Sequence, residues 1–118
     1  MDALTCQLLE IKQRMADAKM SMSDNDFSTL MLAKSRRYVS WLRATGHAPA
    51  IEAMVNLYVR LDNLLASHEA AGNATVAKQI DSMASSLWDT IRKTVLTTVP
   101  PRRKQQPATL VDEPPAAA

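Results

Sequence analysis

Hydrophobic positions recur along most of the chain at steps of three and four, the spacing that puts side chains on one helix face. Leu4, Leu8, Ile11, Met15, Ala18 and Met22 form the first stripe, and Glu10, Lys12, Arg14 and Asp17 fall off it. This predicts an amphipathic helix over residues 2–20, with the Asp2 carboxylate available to cap its first free N–H groups. Ser21 to Asn25 is polar and reads as a connection. Ser23 or Asp24 can then cap a short helix over 25–33, with Phe27, Leu30 and Met31 on its buried face. A third helix is expected over 35–45, capped by Ser35. At about 100° per residue, Val39, Leu42, Tyr38 and Trp41 fill one arc of it. Arg36, Ser40 and Arg43 fill the opposite arc, with Arg37 on the shoulder beside Trp41. Gly46 ends this helix, and Pro49 prevents continuation through it.

The second half carries two longer patterns. Ile51, Met54, Val55, Tyr58, Leu61, Leu65 and His68 make one stripe of a helix over 50–71, and Leu57, Val59 and Leu64 widen its apolar surface. Gly72-Asn73 breaks the pattern. Val76, Ile80, Met83, Leu87, Ile91 and Val95 then define a helix over 74–99, with Trp88 beside the stripe. The pair is expected to form an antiparallel hairpin. From Pro100 the chain turns rich in Pro, Gln and Ala, with Arg102-Arg103-Lys104 near the change. Residues 100–118 read as a disordered tail, because too little apolar surface is present to offset the ordering entropy. The basic triplet could add non-specific phosphate attraction.

Composition narrows the picture without redirecting it. The 118 residues fit a single domain, here residues 1–99, able to bury its own core. Only two glycines and few β-branched runs, beside plentiful Ala, Leu, Met, Lys, Arg and Gln, make the fold class all-α. The single Cys6 cannot form an internal disulfide and reads as a small apolar residue in a reducing, cytoplasmic setting. No signal peptide and no membrane span are read in the chain. His47 and His68, 21 positions apart with one distant cysteine, lack the spacing of a metal site. There is no nucleophile–base–acid set, no Gly-rich phosphate loop and no frame of paired carboxylates. The expectation is a protein with no catalytic activity, no cofactor and no metal.

Charge changes the picture more. No Asp or Glu occurs between Asp26 and Glu52, a window that holds Lys34, Arg36, Arg37 and Arg43. The stretch before it has three basic and five acidic residues, and residues 52–91 have two and five. A basic island between acidic flanks is a candidate polyanion site, with a solvated helix face as its plain alternative.

The order of residues across the short helices resembles the λ-repressor/Cro-type helix-turn-helix family. Phe27-Ser28 stand at that family's apolar–small pair in the first of the two helices. Ser35-Arg36-Arg37-Tyr38-Val39-Ser40-Trp41-Leu42 match its recognition-helix signature without gaps, and Pro49-Ala50-Ile51 match its exit. Leu57 and Leu61 lie near the leucines of its next helix, and Leu8-Leu9-Glu10-Ile11-Lys12 look like its opening helix. The likeness spans about residues 4–65. One extra residue lies between the two helices, and Ser28 stands where alanine is usual. Arg43 replaces a frequent glutamate, and Thr45 a frequent glycine. Asp24 and Asp26 fall where the second helix would approach a phosphate.

The resemblance implies a five-helix DNA-binding domain with the long fourth and fifth helices as a hairpin. It implies a transcriptional regulator, a repressor in the first instance, associated with the nucleoid in the cytoplasm of a bacterium or acting in a phage. Arg36, Arg37, Trp41 and His47 would be placed at base edges, Trp41 also being open to a core role and His47 to that of a surface loop residue. Lys34, Ser35, Ser40 and Arg43 would contact phosphates. Relatives often dimerise through residues after the core, so a homodimer is implied, with Leu57, Val59, Leu64 and Trp88 at its interface. Two recognition helices would then meet double-stranded DNA at a near-palindromic operator. The alternative is a protein-interaction module, an adaptor or anti-activator, that presents the apolar surface of helices 50–71 and 74–99 to a protein partner.

Overall fold

A computed structural model describes residues 2–95. The expected helical residues 96–99 and the tail 100–118, with Arg102, Arg103 and Lys104, lie outside the described residues. Those described form helices joined by short links, with no strand among them.

Helix α1 spans Ala3–Asp17, and the Asp2 carboxylate accepts the Leu4 N–H at 2.8 Å, the expected cap. It ends earlier than the apolar stripe predicts. Lys19 adopts a left-handed φ of 70°, and the Met20 N–H reaches back to the Met15 carbonyl at 2.7 Å. That closure satisfies a carbonyl the helix would leave free.

Helix α2 is a composite. Asp24–Asp26 is one α-helical turn, capped by Ser23 Oγ on the Asp26 N–H, and Phe27–Met31 is wound as a π-helix. The local chemistry explains the wide turn. Ser28 Oγ donates to the Asp24 carbonyl at 2.8 Å, and Thr29 Oγ1 donates to the Asn25 carbonyl at 3.2 Å. Hydroxyls that occupy carbonyls four residues back compete with the backbone ladder, and the Leu32 N–H bonds the Phe27 carbonyl, five residues back. The wider turn shifts the helix phase. Leu30, expected inside, is 57% exposed, and Leu32 takes the buried position beside Phe27 and Met31.

Helix α3 is Tyr38–Thr45, three residues shorter at its start than expected. Ser35 is not its cap. The Ser35 carbonyl instead accepts the Tyr38 N–H at 3.0 Å, closing a turn, and Arg37 stands at the N-cap without a side-chain bond. Gly46 ends the helix at φ 73°, a left-handed conformation that glycine adopts without steric cost.

Helices α4 (Ile51–Ala70) and α5 (Ala74–Val95) are joined by residues 71–73 and share the most extensive contact of the fold. Their seam is Met54, Leu57, Leu61 and Leu65 against Ile80, Met83, Leu87 and Ile91, all buried. The inward face of α4 is therefore rotated from the predicted stripe: Val55 is exposed, and Leu57 is central. Tyr58 and Trp88 pack ring to ring at 5.2 Å along one margin. Leu8, Ile11 and Met15 of α1 join the same core, as do Phe27, Met31, Leu32, Val39 and Leu42. Among the described residues no helix is long and apolar enough to cross a membrane.

Candidate nucleic-acid interface

The basic island falls on α3 and on residues 32–37 before it. One buried group sets the angle at which α3 leaves α2. Ser28, fully buried, accepts the Val39 N–H on its Oγ at 3.0 Å while donating to the Asp24 carbonyl. Val39 is the second residue of α3, so its N–H has no partner within the helix. The cap missing from Ser35 is thus supplied by a side chain eleven residues earlier. Ala33, with φ 56°, turns the chain between the helices.

At the other end, Thr5 Oγ1, buried in α1, donates to the His47 carbonyl at 3.1 Å. Tyr38 Oη accepts the Ala50 N–H at 2.8 Å, so the hydroxyl holds the entry to α4. These two bonds anchor both sides of the 46–50 link.

The cations divide into two classes. Arg43 gives two hydrogen bonds to the Asp24 carboxylate, at 3.0 and 3.2 Å, and Lys12 joins the same carboxylate at 3.3 Å. The Arg43 guanidinium holds the Asp24 carboxyl below its ordinary value; partial burial opposes this, and Lys12 adds to it. Lys34 pairs with Glu52 at 2.8 Å, which raises the lysine and lowers the glutamate from their ordinary values. Arg36 and Arg37 are exposed and make no hydrogen bond or ion pair among the described residues. Of the four window cations, two are paired with acids within the fold and two have no counter-charge among the described residues.

An aromatic shelf adjoins the free pair. Trp41 is 46% exposed, so it is not a core residue. Its indole stacks on His47 at 5.0 Å and 19°, and on Tyr38 at 6.0 Å and 28°. Thr45 Oγ1 bonds both the Trp41 carbonyl and the His47 N–H, which fixes the loop histidine under the indole. Lys34 Nζ lies 5.7 Å from the Tyr38 ring centre. Ser40 is exposed on α3, and Ser35 is exposed in the preceding turn. The structure therefore brings Arg36, Arg37, Ser40, Trp41 and His47 to one region of the surface, and it ties Lys34 and Arg43 to acids at its margins.

The expected interface residues of the hairpin do not stay together. Leu57 is sealed in the core of a single copy and has no surface to give a second, which corrects its assignment. Val59 is 47% exposed, while Leu64 and Trp88 are half-buried. Cys6 is exposed rather than packed, and His68 meets the Asn73 amide at 3.2 Å. No cluster of His, Cys, Asp or Glu fit for a metal occurs among the described residues.

Sequence reasoning missed Ser28 as a bridge and Asp24 as a shared acceptor. Ser28 was legible as a small residue four positions after Asp24, but its second bond depends on where α3 lies. In the sequence Asp24 stands where the second helix would approach a phosphate; only the fold places it between Lys12 and Arg43.

The chain belongs to a family of unknown function, DUF6626, which matches residues 8–104 and so takes in α2, α3 and the hairpin. No curated protein and no solved structure matches the chain.

Proposed function

We propose that this protein is a sequence-specific reader of duplex DNA and a transcriptional regulator, with α3 as its recognition helix. The observation that carries the reading is the pair Arg36 and Arg37: exposed, with side chains unpartnered among the described residues, and held just before a helix whose crossing with α2 is set by the Ser28 bridge. An arginine fork at a major-groove edge bonds guanine O6 and N7 together, worth about 1–3 kcal/mol of discrimination. The extra residue in the helix-turn-helix pattern is consistent with the wide turn at Phe27–Met31. Ser40 and Ser35 supply neutral donors to phosphate, and the Trp41–His47 shelf offers apolar contact beside them. A homodimer on a near-palindromic site, with half-sites about 34 Å apart, would repress by occluding polymerase.

The test is selection from a random duplex library across a salt series. The expected result is an enriched two-fold motif whose binding weakens steeply with salt. Arg36→Ala with Arg37→Ala should abolish the preference and leave helicity unchanged; preference surviving in that variant refutes the assignment.

A second reading, a protein-interaction module using α4 and α5, is favoured by a different observation. Val55 and Val59 stand exposed one turn apart on the outer face of α4, and Asp24 already consumes the charge of Arg43. Sequence-blind, salt-labile binding in the same selection supports this reading.

A further inference from the structure

A groove away from the basic island has a composition the DNA reading does not use. It lies between the end of α1, the link to α2, the end of α2 and the second half of α4, with a volume of about 450 Å³. Four of the chain's seven methionines line it: Met15, Met20, Met22 and Met31. Thioether side chains are flexible and polarisable and adapt to apolar guests. The exposed Leu30 and half-buried Leu64 continue the apolar lining.

One wall is different. Arg60, Asn63 and Ser67 project from a single side of α4, at spacings of three and four residues. None of the three side chains makes a hydrogen bond or ion pair among the described residues. Among the described residues no acidic side chain lines the groove. An apolar trough with one cation and two neutral polar groups along one edge is the usual makeup of a small-molecule site, and the volume falls in the range of roughly 300–1,000 Å³ for such sites.

We propose that this groove binds an acyl-chain monocarboxylate, its hydrocarbon body against the methionines and its carboxylate on Arg60, with Asn63 and Ser67 beside it. The guanidinium fork matches a carboxylate in a two-bond geometry. A single cation suits a monoanion rather than a phosphorylated ligand. The size favours a small molecule over a protein, since a specific protein interface takes roughly 800 Å² from each partner. The site is independent of α3, so it stands or falls apart from DNA binding.

The experiment is a titration of sodium decanoate, below its micellar range, into the full chain carrying methyl-¹³C methionine. Saturable shifts are expected at Met15, Met20, Met22 and Met31. Met54 and Met83, fully buried in the α4–α5 seam, serve as internal controls and should not move. Arg60→Gln should weaken binding about tenfold or more, which corresponds to about 1.4 kcal/mol. Decanol in place of decanoate should lose a similar factor, and Lys78→Gln, a like change of charge on α5, should have no effect. Absence of saturation overturns the proposal. So do equal shifts at Met54 and Met83, undiminished affinity in the Arg60 variant, or equal weakening by the Lys78 variant.

Discussion

The α4–α5 hairpin and the α2–α3 pair are both two helices joined by a link, yet they are held together by different forces. The hairpin has long helices and a continuous seam of Leu, Met and Ile that excludes water along its length. Its stability is hydrophobic and spread over many contacts, so no single polar bond decides its geometry. The α2–α3 pair has short helices, neither of which is expected to persist alone in water. Phe27, Met31, Leu32, Val39 and Leu42 anchor it to the shared core. Its mutual arrangement depends on a few directional bonds, the Val39 N–H to Ser28 Oγ and the Arg43 guanidinium to the Asp24 carboxylate. The contrast is between a packed scaffold and a surface unit whose angle is set by hydrogen bonds and whose outward arginines, Arg36 and Arg37, are exposed.

The sharpest way to test that contrast is to damage each side in its own currency. Leu61→Ala removes a fully buried side chain from the seam and should cost about 2–5 kcal/mol. Chemical denaturation should show one cooperative transition displaced to lower denaturant, and a loss under 1 kcal/mol would mean the hairpin does not carry the fold. Ser28→Ala should cost less, about 1–3 kcal/mol, by leaving the buried Val39 N–H without an acceptor. Its mark is local: amide exchange at Val39 should accelerate more than in the α4–α5 seam. Equal acceleration in both places would erase the distinction between scaffold and surface unit.

Gly46→Ala comes next. A Cβ there meets no atom within 4 Å, so the cost of φ 73° is conformational, about 1 kcal/mol, with little change elsewhere. Thermal melting measures it, and a neutral outcome would show that the α3 exit can relax. The smallest effect concerns Asp24, whose folded value lies below the ordinary 3.8 because of Arg43 above all. As pH falls, the unfolded chain takes up its proton first. The contribution is therefore present above about 3.8 and is lost as pH drops through the folded value. At this partly exposed site it should be below about 1 kcal/mol. Asp24→Asn should flatten that part of the acid stability profile, and an unchanged profile would mean the Arg43 pair contributes nothing in solution.

Much of the fold was legible in the sequence. The number of helices, the Asp2 and Ser23 caps, the Gly46 and Gly72 breaks and the hairpin all follow from periodicity and capping chemistry, which act within a few residues. Phase was less secure. A π turn in α2 moved Leu30 out and Leu32 in, and α4 rolled so that Leu57 rather than Val55 faced the seam. The origins differ: hydroxyl bonds to carbonyls four residues back accompany the wide turn in α2, whereas the broad apolar surface of α4 admits more than one rotation and its neighbours choose among them.

The basic window was equally visible in one dimension, as four cations without an acid from Asp26 to Glu52. Which of them remain free was not. By itself the sequence determined that the chain is helical and where its helices break, because helix propensity and break residues are local; the start of α3 depended on the Ser28 bond from another helix. The tertiary structure alone decided that Asp24 takes Arg43 and Lys12, that Glu52 takes Lys34, and that the Arg36 and Arg37 side chains have no partner among the described residues. It also decided that four methionines surround one groove with Arg60 at its edge. Those outcomes depend on distances between residues far apart in the chain, which packing sets and local sequence does not encode.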